Sequence, residues 1–176
     1  TSPLGCSVRD FWDGLLEGRS GTRAITDMDV SRCRTRIGAQ VVDYDASRHF
    51  SSKELQRLSR TSQLALVAAA EAVEDSKLTG HSNPSAIAVI LGGSIGGFTA
   101  SEALFRRYFE EGTTSPLSVP LLMNNGPASN VSIRLGFKGP LMDIDAACAS
   151  SAHAIGYAYN LIRFGLLETA VAGGAD

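Results

Sequence analysis

The chain is poor in cysteine, histidine and tryptophan: its 176 residues hold 3 Cys, 3 His and 1 Trp. Cys6, Cys33 and Cys148 are too few and too widely spaced for a disulfide framework or a zinc site, so a reducing cytoplasm is the simplest setting. No stretch approaches the ~18 uninterrupted apolar residues of a membrane-spanning helix. The start lacks the basic, apolar and small-residue succession of a secretory leader. Net charge is only −2, which gives no electrostatic reason to expect nucleic acid or an anionic membrane as partner. Low-complexity segments and short repeats are also missing.

What is present suits one α/β domain. The composition, 44% hydrophobic and 19% charged, is enough at this length to bury a sizeable core. The 18 glycines point to tight turns and close backbone packing. Charge is unevenly spread: residues 1–60 hold ten Lys/Arg against eight Asp/Glu, and the remainder six against ten. The opening Thr1-Ser2-Pro3-Leu4-Gly5 reads as a loop leaving a strand that lies outside the sequence. The closing residues 169–176 read as a strand running into a turn, so both ends look cut.

Hydrophobic spacing orders the elements. Phe11-Trp12-Asp13-Gly14-Leu15-Leu16 reads as a short amphipathic helix with Asp10 as its cap. Residues 20–50 are turn-rich, with short strands. Residues 53–76 read as one helix, with Leu64, Val67, Ala68 and Glu71 at helical spacing. The unbroken run Ala86-Ile87-Ala88-Val89-Ile90-Leu91 is a buried strand. Helices are expected over 98–111 and 119–135, the latter with Pro120 near its first turn. A strand over 140–145 leads to Cys148, a helix over 149–164 is closed by Gly165, and a strand over 168–172 follows. Strands alternating with helices predict a layered α/β architecture.

Chemistry points to the junction around Cys148. It lies where a strand gives way to a helix, in Asp145-Ala146-Ala147-Cys148-Ala149-Ser150-Ser151. A thiolate there is stabilised by the positive end of the helix dipole and by free backbone N–H groups. The small neighbours leave room for an acyl chain, and the N–H of Cys148 itself is suited to an oxyanion site. Free cysteines are also often plain buried hydrophobes, and position alone leaves both readings open.

The run Asp-Ala-Ala-Cys-Ala-Ser-Ser-Ala-His-Ala-Ile-Gly-Tyr-Ala at 145–158 resembles the nucleophile segment of β-ketoacyl-acyl carrier protein synthases of the elongating, type II kind. The resemblance extends over nearly the whole chain, in order. It takes in Phe11-Trp12 with Gly18-Arg19-Ser20-Gly21, the loop Gly92-Gly93-Ser94-Ile95-Gly96-Gly97, and Ser115-Pro116 with Val119-Pro120. Ser132-Ile133, Lys138-Gly139-Pro140 and Ala172-Gly173-Gly174-Ala175 follow. It implies a thiolase-like α-β-α-β-α fold, of which residues 1–176 supply the N-terminal half. It also implies transfer of an acyl group from carrier protein to Cys148, then decarboxylative condensation with malonyl-carrier protein. The family's two catalytic histidines, its active-site lysine and the second oxyanion N–H lie in the other half, so this stretch alone is not expected to turn over.

By the same resemblance, Ile95 borders the acyl pocket and can gate it, Ser118 borders the partner subunit's acyl pocket, and Leu117 beside it is substrate-binding. Lys53, Arg57 and Arg60 dock the acidic carrier protein. No cofactor or metal is implied. A homodimer is, with its contact along about 140–146. Three departures stand out. Ala146 replaces the usual Thr two residues before the cysteine. Ser115-Pro116-Leu117-Ser118-Val119-Pro120 replaces Ser-Pro-Phe-Phe-Val-Pro, so Ser118 is expected to make the pocket wider or more polar and the acyl chain other than an ordinary saturated one. Asn125-Gly126-Pro127-Ala128 departs from Asn-Met-x-Ala. Non-elongating relatives lack the cysteine, which Cys148 retains.

Other readings compete. Gly92-Gly93-Ser94-Ile95-Gly96 fits the G-x-S-x-G elbow of α/β-hydrolases, with a plain glycine turn as the simpler reading; the phosphate-loop pattern fails for want of its Lys. His153 is five residues, about 140° of helix, from Cys148, so a satisfied core histidine is expected. His49 and His81 are expected in loops facing solvent. Lys53, Arg57 and Arg60 at i, i+4 and i+7 share a helix face, which most often is simply solvated; Arg106-Arg107 and Arg32, Arg34 and Arg36 carry the same default. A non-enzymatic reading, a subunit that shapes the pocket of a partner synthase, is opposed by Cys148.

Overall fold

In the computed structural model, which describes residues 1–78, 80 and 83–176, the backbone packs as two compact units, Thr1–His49 and Phe50–Asp176. In the first, helix α1 (Val8–Leu16) begins at Ser7, whose hydroxyl accepts the Asp10 N–H. Ser7 is therefore the cap, and Asp10 sits inside the first turn, where its charge favours the helix dipole. Two short antiparallel strands, β1 (Arg23–Ala24) and β2 (Ile37–Gly38), interrupt the turn-rich stretch. His49 is exposed as expected and stacks on the buried Tyr44 ring, centroids 5.8 Å apart.

The second unit is built on a three-stranded parallel sheet in the order β4-β3-β5. Its centre is β3 (Ile87–Gly92), with every residue buried. β4 (Leu141–Ile144) and β5 (Thr169–Gly174) flank it in parallel. Alternation along β3 sends Ala88 and Ile90 to one face, where they pack with Ala154 and Ala158 of helix α7 (Ser150–Arg163). The other face is covered by helices α3 (Arg60–Asp75) and α6 (Gly126–Leu135). Both faces are filled, which is why the strand reads as a continuous apolar run. Helix α4 (Phe98–Glu111) starts and stops at glycines in the left-handed region, Gly97 and Gly112.

Two expected helices are broken. Residues 53–76 divide into α2 (Ser52–Leu55) and α3, because Ser51 and Glu54 form a capping box and Ser59, extended at φ −62° and ψ 158°, caps α3 through the Ser62 N–H. The buried face of α3 is Ser62, Leu66, Ala69 and Val73; Leu64, Val67 and Glu71 are only half-buried and Ala68 is exposed. Residues 119–135 divide into α5 (Ser118–Leu122) and α6. Pro127 has no N–H to continue a helix from Met123, so it sits in the first turn of a new one. No helix among the described residues is long and apolar enough to cross a membrane.

Candidate active site

Three parallel strands end side by side: β3 at Gly92, β4 at Ile144 and β5 at Gly174, with Gly92 in register with both of the others. The chain leaving each strand contributes one part of the site. Residues 93–97 form the glycine-rich loop, residues 145–149 form the turn that carries Cys148, and Ala175 and Asp176 follow β5. In parallel α/β sheets the carboxyl ends of the strands are where ligands bind.

Ser150, the first residue of α7, organises the cysteine turn. Its buried hydroxyl accepts the Ala146 N–H at 2.8 Å and donates to the Ala147 carbonyl at 2.7 Å. The Asp145 carboxylate accepts the Ala147 N–H at 3.1 Å. The N–H groups of Ala149 and Ser150 close onto the carbonyls of Ala146 and Ala147 at 3.1 and 3.0 Å. The N–H of Cys148 takes no part in these bonds. Ala147 is held at φ +49°, a left-handed conformation that a β-carbon disfavours by roughly 1–2 kcal/mol.

The result is an exposed Cys148 directly before Ala149, the cap of α7, where no side chain satisfies the first-turn N–H groups. Together with the helix dipole, this gives the amino end of α7 a locally positive face beside Cys148. The amino end of α7 also rests on the strand ends. A β-carbon on Gly92 would collide with the backbone of Ser150, and one on Gly174 with the Ser151 hydroxyl. Glycine at these positions is what lets the amino end of α7 lie against the strand ends.

Ile95 is in that loop and is 74% exposed. Leu117 and Ser118 are half-buried at the start of α5, whose packing partners are α4 and α6. The Ser118 hydroxyl donates to the Ser115 carbonyl at 2.6 Å, so its polarity is used locally. Ser94 is not arranged as a hydrolase nucleophile: its hydroxyl donates to the Asp176 carboxylate at 3.0 Å, and no histidine among the described residues bonds it. The loop accordingly reads as architecture. His153 is exposed on α7, not a core histidine, because the sheet-facing positions of that helix are Ala154 and Ala158. His81 lies outside the described residues.

The basic residues are all exposed but do not form one helical stripe. Lys53 is in α2, Arg57 in the break and Arg60 at the start of α3. Beside Arg57 opens a cleft of about 360 Å³, walled by Leu58, Leu66, Ile133 and Arg134. Arg134, missed in the sequence, pairs with Glu54 and lies over the Phe50 ring, 5.7 Å from its centroid. Its signal was only a lone basic residue in the last turn of α6, and the partners are distant in sequence. Hydrogen bonds from Ser51, with a smaller contribution from Arg134, lower the Glu54 pKa. On β4, burial and then the charge of Asp145 raise that of Asp143. A larger cavity, about 600 Å³, opens at the other end of the sheet beside Ile87 and Phe137, away from Cys148.

The chain is similar to known proteins over nearly its whole length. The curated 3-oxoacyl-[acyl-carrier-protein] synthase 2 of Synechocystis sp. is 34% identical over 178 residues, covering 99% of this chain and 43% of its own length. Among solved structures, the ishigamide ketosynthase/chain length factor superposes with a TM-score of 0.89 at 26% identity, covering 99% of this chain and 45% of that one. A type II PKS acyl-carrier protein in complex with its ketosynthase bound to the hexaketide matches with a TM-score of 0.82 at 18% identity, over 98% of this chain and 47% of that one. The chain thus spans less than half the length of these proteins and has the layered α/β arrangement of thiolase-fold ketosynthases. The family model for the N-terminal domain of β-ketoacyl synthases matches residues 1–176 in full, and the chain belongs to that family.

Proposed function

We propose that this chain carries the acyl-accepting cysteine of a 3-oxoacyl-[acyl-carrier-protein] synthase. The observation that supports this most is the turn itself: an exposed Cys148 at the amino end of α7, presented by a left-handed Ala147 and a buried Ser150. In this reading the Cys148 thiolate attacks the acyl thioester of a carrier protein. The S–acyl bond forms, and the carrier thiol leaves, taking up a proton. A malonyl thioester then loses carbon dioxide. The electron pair of the broken C–C bond attacks the Cys148 thioester, and Sγ departs as thiolate. The product is a 3-oxoacyl thioester two carbons longer.

The remaining roles belong to the same reading. Ile95 borders the acyl chain, and Leu117 and Ser118 border that of a partner copy. Lys53, Arg57 and Arg60 are three exposed cations at one corner of a protein of net charge −2, which suits an acidic carrier protein. β4 is an edge strand of the sheet, which suits a homodimer paired there. A cytoplasmic enzyme fits three free thiols.

The test is condensation of acyl- with malonyl-carrier protein by the full-length protein. Cys148→Ala abolishes it, and Ser94→Ala retains most of it. An unchanged rate in Cys148→Ala would instead make the chain a pocket-shaping partner of another synthase.

A further inference from the structure

Asp176 stands outside every role assigned so far, yet its carboxylate holds the glycine-rich loop at three points. Oδ1 accepts the N–H groups of Ser94 and Ile95, each at 3.2 Å, and Oδ2 accepts the Ser94 hydroxyl at 3.0 Å. The bonds join residues 81 and 82 positions apart in the chain. The loop is held from its other sides as well. Ala175 N–H donates to the Gly92 carbonyl at 3.0 Å, and Gly93 N–H to the Ile144 carbonyl at 3.3 Å. Gly96 is close enough that a β-carbon there would lie 3.3 Å from Asp176 Oδ1 and 2.8 Å from Thr61. The carboxylate reaches the backbone of Ile95 itself.

We infer that Asp176 is a positioning residue that sets the orientation of Ile95, and through it the acyl chain length the site accepts. The inference rests on the functional reading above for its chemistry, though the latch is a property of the loop alone. A carboxylate taking two N–H bonds and one O–H bond makes charge-assisted contacts, stronger than neutral ones. Without it, the Ile95 amide loses an acceptor, and the 74% exposed side chain loses its fixed base. Selectivity then falls because the boundary of the pocket moves, while the turn at Cys148 keeps its own bonds to Ser150.

A graded series tests this in the full-length protein. Asp176→Ala removes all three bonds. Asp176→Asn keeps Oδ1 for the two N–H groups and can donate from Nδ2 to the Ser94 hydroxyl. Ser94→Ala removes only the hydroxyl bond. Hydrogen–deuterium exchange of the peptide containing residues 93–97 reads the latch without substrate. Acylation of Cys148 across short and long acyl-carrier proteins reads its consequence. Asp176→Ala is expected to speed exchange by about tenfold or more and to change the long-to-short acylation ratio by a similar factor, with melting still cooperative. Asp176→Asn restores most of both. Unchanged exchange in Asp176→Ala overturns the latch. Faster exchange with an unchanged acylation ratio overturns its role in selectivity. Failure of the unmutated protein to acylate Cys148 overturns the functional reading and the selectivity role with it, while the exchange result still decides the latch.

Discussion

The hydroxyl of Ser150 brackets the Ala146-Ala147 pair: it accepts from Ala146 N–H and donates to the Ala147 carbonyl. One buried side chain thereby holds the left-handed residue that presents Cys148. Ser150→Ala leaves that N–H and carbonyl without this partner, at a cost of about 1–3 kcal/mol. Thermal denaturation should show the loss, and acylation of Cys148 should slow more than melting alone accounts for, since the turn loosens beside the thiol.

Ala147 itself gives a sharper contrast. Its φ of +49° is natural for glycine, so Ala147→Gly relieves strain that offsets the greater freedom of the unfolded chain, leaving stability within about 1 kcal/mol of the original. Ala147→Val puts a β-branched side chain in the same conformation and should cost about 2 kcal/mol or more. Equal melting temperatures for the two variants would contradict the left-handed assignment.

Gly92 couples the loop to the cysteine turn. A methyl group there meets the Ser150 backbone, and backbone cannot rotate aside. Gly92→Ala should destabilise by about 1–3 kcal/mol. It should also depress acylation, because α7 has to lift from the strand ends. Gly156→Ala, in the same helix region but with open space around it, is the control and should leave acylation unchanged.

Asp143 predicts a pH effect of definite sign. Burial first, and the Asp145 charge second, raise its pKa above 3.8 in the folded protein. The folded state therefore holds its proton longer than the unfolded chain, and stability falls as pH rises through the interval above 3.8. Asp143→Asn should raise the melting temperature at pH 7, leave it nearly unchanged below pH 3.8, and flatten the profile between. A melting gain as large in strong acid as at neutrality would refute this.

Docking of an acidic carrier protein gives a further prediction. Lys53→Glu and Arg57→Glu should each weaken carrier binding by about tenfold at low salt, with the difference shrinking as salt rises. Acylation by a small carrier-free thioester should not change. Salt-independent affinity in the unmutated protein would contradict an electrostatic surface at this corner.

Much of the sheet was legible because its signals are local. β3 is a continuous apolar run, and α7 is closed by Gly165 at φ +72°. The ends of α4 are glycines that take the left-handed region. Position and small neighbours left Cys148 open between a nucleophile and a buried hydrophobe, and only the family resemblance favoured the first. The breaks at Ser59 and Pro127 were missed because helical spacing continues across them. Only the extended backbone at Ser59 and the missing N–H of Pro127 reset the helix. The pairing of Arg134 with Glu54 and the latch of Asp176 on Ser94 and Ile95 join residues about eighty positions apart, where neither spacing nor composition carries a signal. The exposure of His153 depended on which face of α7 meets the sheet, a choice made by Ala154 and Ala158.

Whether Cys148 accepts the acyl group is read by peptide-resolved mass spectrometry of the full-length protein after exposure to an acyl-carrier protein. An acyl mass is expected on the peptide containing Cys148, absent in Cys148→Ala and retained in Ser94→Ala. An acyl group on Ser94, or on neither residue, would contradict it.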